Sequence, residues 1–184
     1  MAASANPRVS RLPPLPDPLP AEVEALFEER RKKMGRILNI HHVFAHAPKL
    51  SKASAQMAFS LRFETSVPRL WIEIGIVRAA QLAKGVYEEQ QHRPMLLAEG
   101  FSQEKLDAMP NWKSSKLFDD KERALLAYAD EMADCGNVSD ATFAAMERFF
   151  DTQQIMELSF AIGTYYGTAL IMNAMQIQLE KKQQ

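Results

Sequence analysis

The sequence predicts an all-α fold. Three observations carry that reading. Apolar residues recur at helical spacing from about Ala21 onward, and no segment sustains period-two alternation. Glycine is scarce, at 7 of 184 residues, which disfavours a strand-and-turn architecture. Prolines and N-cap residues stand where helices would open.

The first twenty residues stand apart, because they hold six of the ten prolines. Proline fixes φ and removes a backbone donor, so residues 1–20 read as an extended arm, loose or docked on a neighbouring subunit. There is no continuous apolar stretch behind a basic start, so a secretory signal is not expected. Residues 21–184 read as one helical domain of about seven or eight helices.

Pro20 opens AEVEALFEERRKKMGRIL, with cations late, where the helix dipole favours them. Pro48 opens LSKASAQMAFSLRF, and Pro68 opens RLWIEIGIVRAAQLAKG, with Trp71, Ile74 and Val77 on one stripe. Gly85 is expected to break that helix. VYEEQQHRPMLLAEG runs on to Gly100 as a C-terminal cap, and Pro94 implies a kink or a short helix before it. Ser102 caps SQEKLDAM. DDKERALLAYADEMADCG is amphipathic, Ser139 opens SDATFAAMERFF, and Asp151 with Gln154 has the capping-box spacing for the last helix. That helix carries an uncharged run from Leu158 to Leu179. The run is long enough for a bilayer, but its hydroxyls and amides favour a buried core or subunit-interface helix.

Composition excludes several function classes. A net charge of −1 does not suit a protein that depends on neutralising phosphates, so no nucleic-acid partner is expected. One cysteine, Cys135, excludes an internal disulfide framework and suits a reducing compartment, hence a cytoplasmic location. At a helix end before Gly136 it reads as an inert thiol. His42 and His46 lie four apart, with only His41 near as a third ligand, so no metal site is expected. Arg30, Arg31, Lys32 and Lys33 read as a solvated face.

The densest polar cluster beside an apolar helix is YEEQQHRP, Tyr87–Pro94. On a helix, Glu88 and His92 share a face. A carboxylate beside an imidazole fixes its tautomer, which suits a proton-transfer residue; a surface ion pair and a capped histidine would use the same spacing. Glu73 lies mid-helix between Ile72 and Ile74, where a charge is costly unless paired.

The stretch IEIGIVRAAQLAKGVYEEQQHRPMLLAEGFSQEKLDAM resembles the carboxymuconolactone decarboxylase family, which includes the alkylhydroperoxidase D-like proteins. The residues that carry the resemblance are Glu73, Tyr87–Glu88, His92, Gly100 and Ser102–Leu106, with flanking similarity in GRILNIHHVFAHAPKL and from KERALLAYADEM to the last helix. The peroxidase branch of that family has a Cys-x-x-Cys pair between the Glu and the His. By register those positions here are Gly85 and Glu88, so the chain is similar to the cysteine-free, decarboxylase-like branch. A dithiol is what reduces a peroxide and closes into a disulfide.

The resemblance implies a cofactor-free lyase, or a related proton-transfer enzyme, acting on a small carboxylated lactone from aromatic breakdown. It implies His92 as general acid/base, Glu73 and Glu88 as orienting or relay carboxylates, and Tyr87 as a hydroxyl donor. Arg78 and Arg93 are candidate carboxylate clamps; Arg78 could equally pair with Glu73 or Glu89. The conjugated lactone carbonyl absorbs the electrons left by CO2, so no metal or organic cofactor is implied. A thiol-based antioxidant and a non-catalytic small-molecule binder remain the alternatives. Family members tend to assemble, and the Leu158–Leu179 run and the Trp71 helix offer more apolar surface than one small domain covers, so a homotrimer or homohexamer is expected.

Overall fold

The computed structural model describes residues 7–134 and 136–180. Cys135 therefore lies outside the described residues. Among these residues there are nine α-helices, one 3₁₀ turn and no strand. The helices are α1 (Ala21–Met34), α2 (Asn39–Phe44), α3 (Pro48–Phe63), α4 (Arg69–Leu82), α5 (Val86–Ala98), α6 (Gln103–Ala108), α7 (Asp120–Asp134), α8 (Asp140–Glu147) and α9 (Thr152–Met175). The 3₁₀ turn is Met109–Asn111.

By its contacts the chain falls into two compact units, one of residues 59–171 and one made from the two ends of the chain. In the terminal unit, Leu15 from the proline-rich stretch is buried with Val23, Phe27 and Ala45. Backbone hydrogen bonds tie that stretch to the end of the chain: Arg11 N–H donates to Met175 O, and Gln178 N–H to Val9 O. From residue 7 on the stretch thus packs within its own unit rather than trailing as a loose arm. α1 stops at Met34, short of the RIL expected to continue it, because Gly35 takes a left-handed conformation with φ 72°.

The larger unit is built around α4. Every residue from Ile72 to Ala80 is buried, so this helix is enclosed on all sides. Ile72, Ile74 and Val77 join Leu96 of α5, Leu125 and Leu126 of α7 and Leu158 and Ile162 of α9 in one core. α9 buries Ile155, Leu158, Ala161, Ile162, Tyr165 and Ala169 on one side and exposes Met156, Phe160, Leu170 and Ile171 on the other. It is the one described helix long and apolar enough to cross a membrane.

Local chemistry sets the helix ends. Ser102 Oγ accepts Lys105 N–H, and Ser139 Oγ accepts Thr142 N–H. Asp151 and Gln154 exchange reciprocal side-chain to backbone bonds, a complete capping box. At the end of α5, Gly100 has φ 91°, its N–H reaches Leu97 O, and Phe101 N–H reaches Leu96 O. This is a Schellman closure with Phe101 and Leu96 both in the core. Pro94 sits inside a continuous α5 with no short helix before it, at the cost of the bond its missing N–H would have made to Gln90 O.

The break between α4 and α5 works differently from the expectation. The left-handed residue is Lys84, φ 54°, and Gly85 has an ordinary φ of −85°. What requires glycine at position 85 is space: a Cβ there would lie 2.6 Å from Ala169 Cβ of α9. This close approach brings the start of α5, and with it Glu88 and His92, against α9.

Candidate functional site

Glu73 projects from the middle of α4 and is completely buried. A buried carboxylate needs partners, and both of its oxygens have them. Oε2 accepts a hydrogen bond of 2.7 Å from Nδ1 of His92, across the α4–α5 interface. Oε1 accepts from Arg69, one turn earlier on α4, at 3.3 Å from Nη2 and 3.4 Å from Nε. Arg69 also pairs with Glu99 at 3.5 Å. With Oε1 taken by Arg69, Oε2 is the oxygen of Glu73 that accepts from Nδ1 of His92.

Nε2 is the other ring nitrogen of His92. It faces Oε2 of Glu88, four residues earlier on α5, at 3.7 Å. The distance exceeds a hydrogen bond. Glu88 is buried, and its Oε1 has no hydrogen-bond partner among the described residues. Burial pushes the Glu88 carboxyl above its ordinary pKa of 4.5, while the charges of His92 and Arg62 pull it back in part. Glu88 is thereby biased toward the neutral acid, able to donate.

Tyr165 of α9 packs against His92. Its ring meets the His92 imidazole edge-on, with centroids 4.8 Å apart. Burial raises its phenol above the usual value, so it stays protonated as a hydroxyl. The structure thus gathers Glu73 and Glu88 around the His92 imidazole and adds Tyr165 beside the ring and Arg69 behind Glu73.

The other sequence candidates are placed differently. Tyr87 is buried near the start of α5. Arg78 is not paired with Glu73 or Glu89. Its Nε donates to Asp130 Oδ1 of α7 at 2.6 Å, and its Nη1 reaches Gln81 and Met109 O. Asp130 also accepts Trp112 Nε1–H at 3.1 Å. Arg93 follows His92 in sequence but points along another face, to Asp107 at 2.6 Å and Glu89 at 3.3 Å. Both arginines are held by protein carboxylates.

Sequence reasoning missed Arg69, Tyr165 and Arg62. Arg69 could have been found as the residue four before Glu73. Tyr165 carried no local signal, since it lies in an uncharged run on a helix far along the chain. Among the histidines weighed as metal ligands, His41 Nδ1 accepts the Leu38 N–H, and His42 packs edge-on against Phe27. Among the described residues no three His, Cys, Asp or Glu side chains converge.

Residues 48–131 match the carboxymuconolactone decarboxylase family. No curated protein sequence matches the chain. Solved structures do. An uncharacterised peroxidase-related protein from Silicibacter sp. TM1040 superposes with a TM-score of 0.82 at 19% identity, over 98% of this chain and 97% of that one. An alkylhydroperoxidase AhpD core protein from Ralstonia eutropha JMP134, also described as peroxidase-related, gives 0.80 at 18% identity, over 96% and 95%. The debrominase Bmp8, solved as a cysteine-to-alanine variant with 2,3,4-tribromopyrrole, gives 0.72 at 18% identity, over 96% and 94%. These identities establish the fold. The family match runs from α3 into α7, and the whole chain takes an AhpD-like fold.

Proposed function

We propose that this protein is a cofactor-free lyase, or a related proton-transfer enzyme, that acts on a small carboxylated lactone or similar product of aromatic-ring breakdown. The observation that carries the reading is the Arg69–Glu73–His92 chain, with Nε2 of His92 facing the buried Glu88, whose carboxyl burial pushes above its ordinary pKa.

The chemistry follows from those positions. The bond to the departing carboxylate breaks, CO2 leaves, and the electron pair moves into the conjugated lactone carbonyl. The carbon that lost CO2 must then take a proton. Glu73 holds Nδ1, so Glu88 first passes its proton to Nε2 once the two close from 3.7 Å to hydrogen-bond distance, Nε2 delivers that proton to the carbon, and Glu88, left as a carboxylate, recovers a proton from solvent. Tyr165 keeps the imidazole edge in place. A positioned proton-transfer group contributes roughly 10²–10⁴ in rate.

The peroxidase-related neighbours suggest the competing reading, a dithiol peroxidase. Against it stand the residues at the two thiol positions in register, Gly85 and Glu88. The first is closed to a larger side chain by Ala169. A non-catalytic binder would need the same pocket without the proton chemistry. We assign the activity to the cytoplasm and to a homotrimer or homohexamer, the latter supported by the exposed Met156, Phe160, Leu170 and Ile171 of α9.

The test is a panel of ring-cleavage lactone carboxylates assayed for CO2 release, beside an organic hydroperoxide assayed with a dithiol donor. The reading expects CO2 from a conjugated lactone acid and no peroxide turnover. Peroxide turnover that vanishes in Cys135→Ser would overturn it.

A further inference from the structure

Glycine weakens a helix interior, so a glycine kept there needs a reason. Five of the seven glycines have an evident one. Gly35, Gly100 and Gly136 hold left-handed backbone. A Cβ at Gly75 would lie 3.2 Å from Ile162 Cγ1, and one at Gly85 would meet Ala169. Gly163 and Gly167 have no such reason among the described residues. Both lie inside α9, and a Cβ on either would meet nothing within 4 Å.

The residues around them form a pattern. Met156, Phe160, Gly163, Gly167, Leu170 and Ala174 fall within about 40° of one line along α9, at roughly 100° per residue. All are exposed except Gly167, which is partly so. None carries a charge, so a second copy meets no repulsion there. The stripe is symmetric about position 165. Gly163 and Gly167 stand two residues either side of it, Phe160 and Leu170 five, and Met156 and Ala174 nine. A two-fold contact requires that symmetry, because one patch serves both subunits: residue i meets residue j, and j meets i. Laid antiparallel on a second α9, glycine meets glycine at the centre and the backbones can approach. Outside them Phe160 meets the partner's Leu170, and Met156 the partner's Ala174. Antiparallel helices also oppose their dipoles, whereas parallel ones add them. The reverse side of α9, with Leu158, Ile162 and Tyr165, is in the core, so the helix offers one stripe rather than the all-round apolar surface of a membrane span.

Resting on the reading that the chain assembles through the exposed side of α9, we propose that a second copy of this chain docks there, antiparallel, about a two-fold axis at the level of residue 165. The assembly then holds an even number of chains, which selects the hexamer over the trimer. Tyr165 sits at that level on the opposite side of α9, against His92, so the contact backs the helix that carries Tyr165.

The test starts from Cys135→Ser, which removes the one native thiol. In that background Phe160→Cys/Leu170→Cys should give a covalent dimer on mild oxidation. The pairing brings position 160 of each chain to position 170 of the other, and a disulfide needs Cα atoms within about 7 Å. Within one chain the two positions are ten residues apart along a helix, about 15 Å, so the bridge forms only between chains. For the same reason Phe160→Cys alone and Leu170→Cys alone should stay unlinked. Light scattering at micromolar concentration gives a second readout. The parent should hold an even number of chains, and Gly163→Leu should halve its mass with helix content unchanged by circular dichroism. On a bare helix face Gly163→Leu would replace a weak helix former with a strong one, raising Tm and leaving the mass alone; that result would overturn the pair. Linkage of either single-cysteine variant, which marks a parallel arrangement, would overturn it too. So would an unlinked double variant, even if Gly163→Leu failed to fold. Flotation of the parent with phosphatidylcholine vesicles, in place of linkage, would assign the stripe to a lipid surface. A parent mass of three chains removes the pair and leaves assembly standing, whereas a single-chain mass removes both.

Discussion

Gly85→Ala tests the packing that seats the site. A Cβ at position 85 would stand 2.6 Å from Ala169 Cβ and 3.5 Å from Ala169 Cα. Two carbons rest at about 3.5–4.0 Å, so the start of α5 and α9 must part by about 1 Å. Overpacking of that kind costs roughly 1–3 kcal/mol. Loss of glycine's freedom in the unfolded chain returns about 0.4–1 kcal/mol. The net is a destabilisation of about 1–2 kcal/mol, or about 2–8 °C in Tm for a chain of this size. Thermal unfolding followed by circular dichroism reads it directly. Ala169→Gly removes the obstructing methyl, so Gly85→Ala should cost about 1 kcal/mol less in that background, a coupling typical of residues in contact. A Gly85→Ala protein that melts with the parent, or a strictly additive double variant, would refute the reasoning. The same contact bears on function. A cysteine at position 85 meets the same methyl, so building a dithiol from Gly85→Cys and Glu88→Cys requires Ala169 to change as well.

Three further outcomes are expected. The raised pKa of Glu88 means that the folded protein holds its proton more tightly than the unfolded chain, so stability is lost as pH rises above 4.5 through the folded value. Glu88→Gln should therefore raise Tm at neutral pH and lose that advantage at more acid pH; a gain independent of pH would contradict the burial of an ionisable carboxyl. Asp130→Ala leaves the nearly buried Arg78 guanidinium unpaired and should cost about 3–5 kcal/mol in urea unfolding, with Arg78→Met/Asp130→Leu recovering most of it. Light scattering at micromolar concentration should give the mass of three or six chains, and Phe160→Lys, on the exposed side of α9, should lower it; a single-chain mass for the parent would remove the assembly proposal.

The parts of this fold that were legible in the sequence are those governed by short-range chemistry. Ser102, Ser139 and the Asp151–Gln154 pair open helices because one oxygen reaches one nearby N–H, and that depends on spacing alone. Glu88 and His92 share a face for the same reason. Glu73 stood out because a charge between isoleucines requires a partner. The remainder depends on which helices meet. Tyr165 reaches His92 only because α9 lies against the start of α5, and Asp130 takes Arg78 only because α7 packs on α4. Position 85 shows the same limit: a glycine between helices reads as a turn residue, yet Lys84 makes the turn and Gly85 makes room. The proline-rich start reads as an arm because proline fixes the backbone, but burial of Leu15 with Phe27 is a matter of tertiary contact.

Single-turnover decarboxylation of a conjugated lactone acid by the parent and by His92→Asn, with binding measured on the same samples, tests the proton-transfer role most directly. Asparagine retains much of the volume and a hydrogen bond to Glu73 but carries no titratable proton. The assignment predicts an unchanged fold, ligand affinity within a few-fold of the parent, and a rate lower by roughly 10²-fold or more. His92→Asn turning over at the parental rate would contradict it.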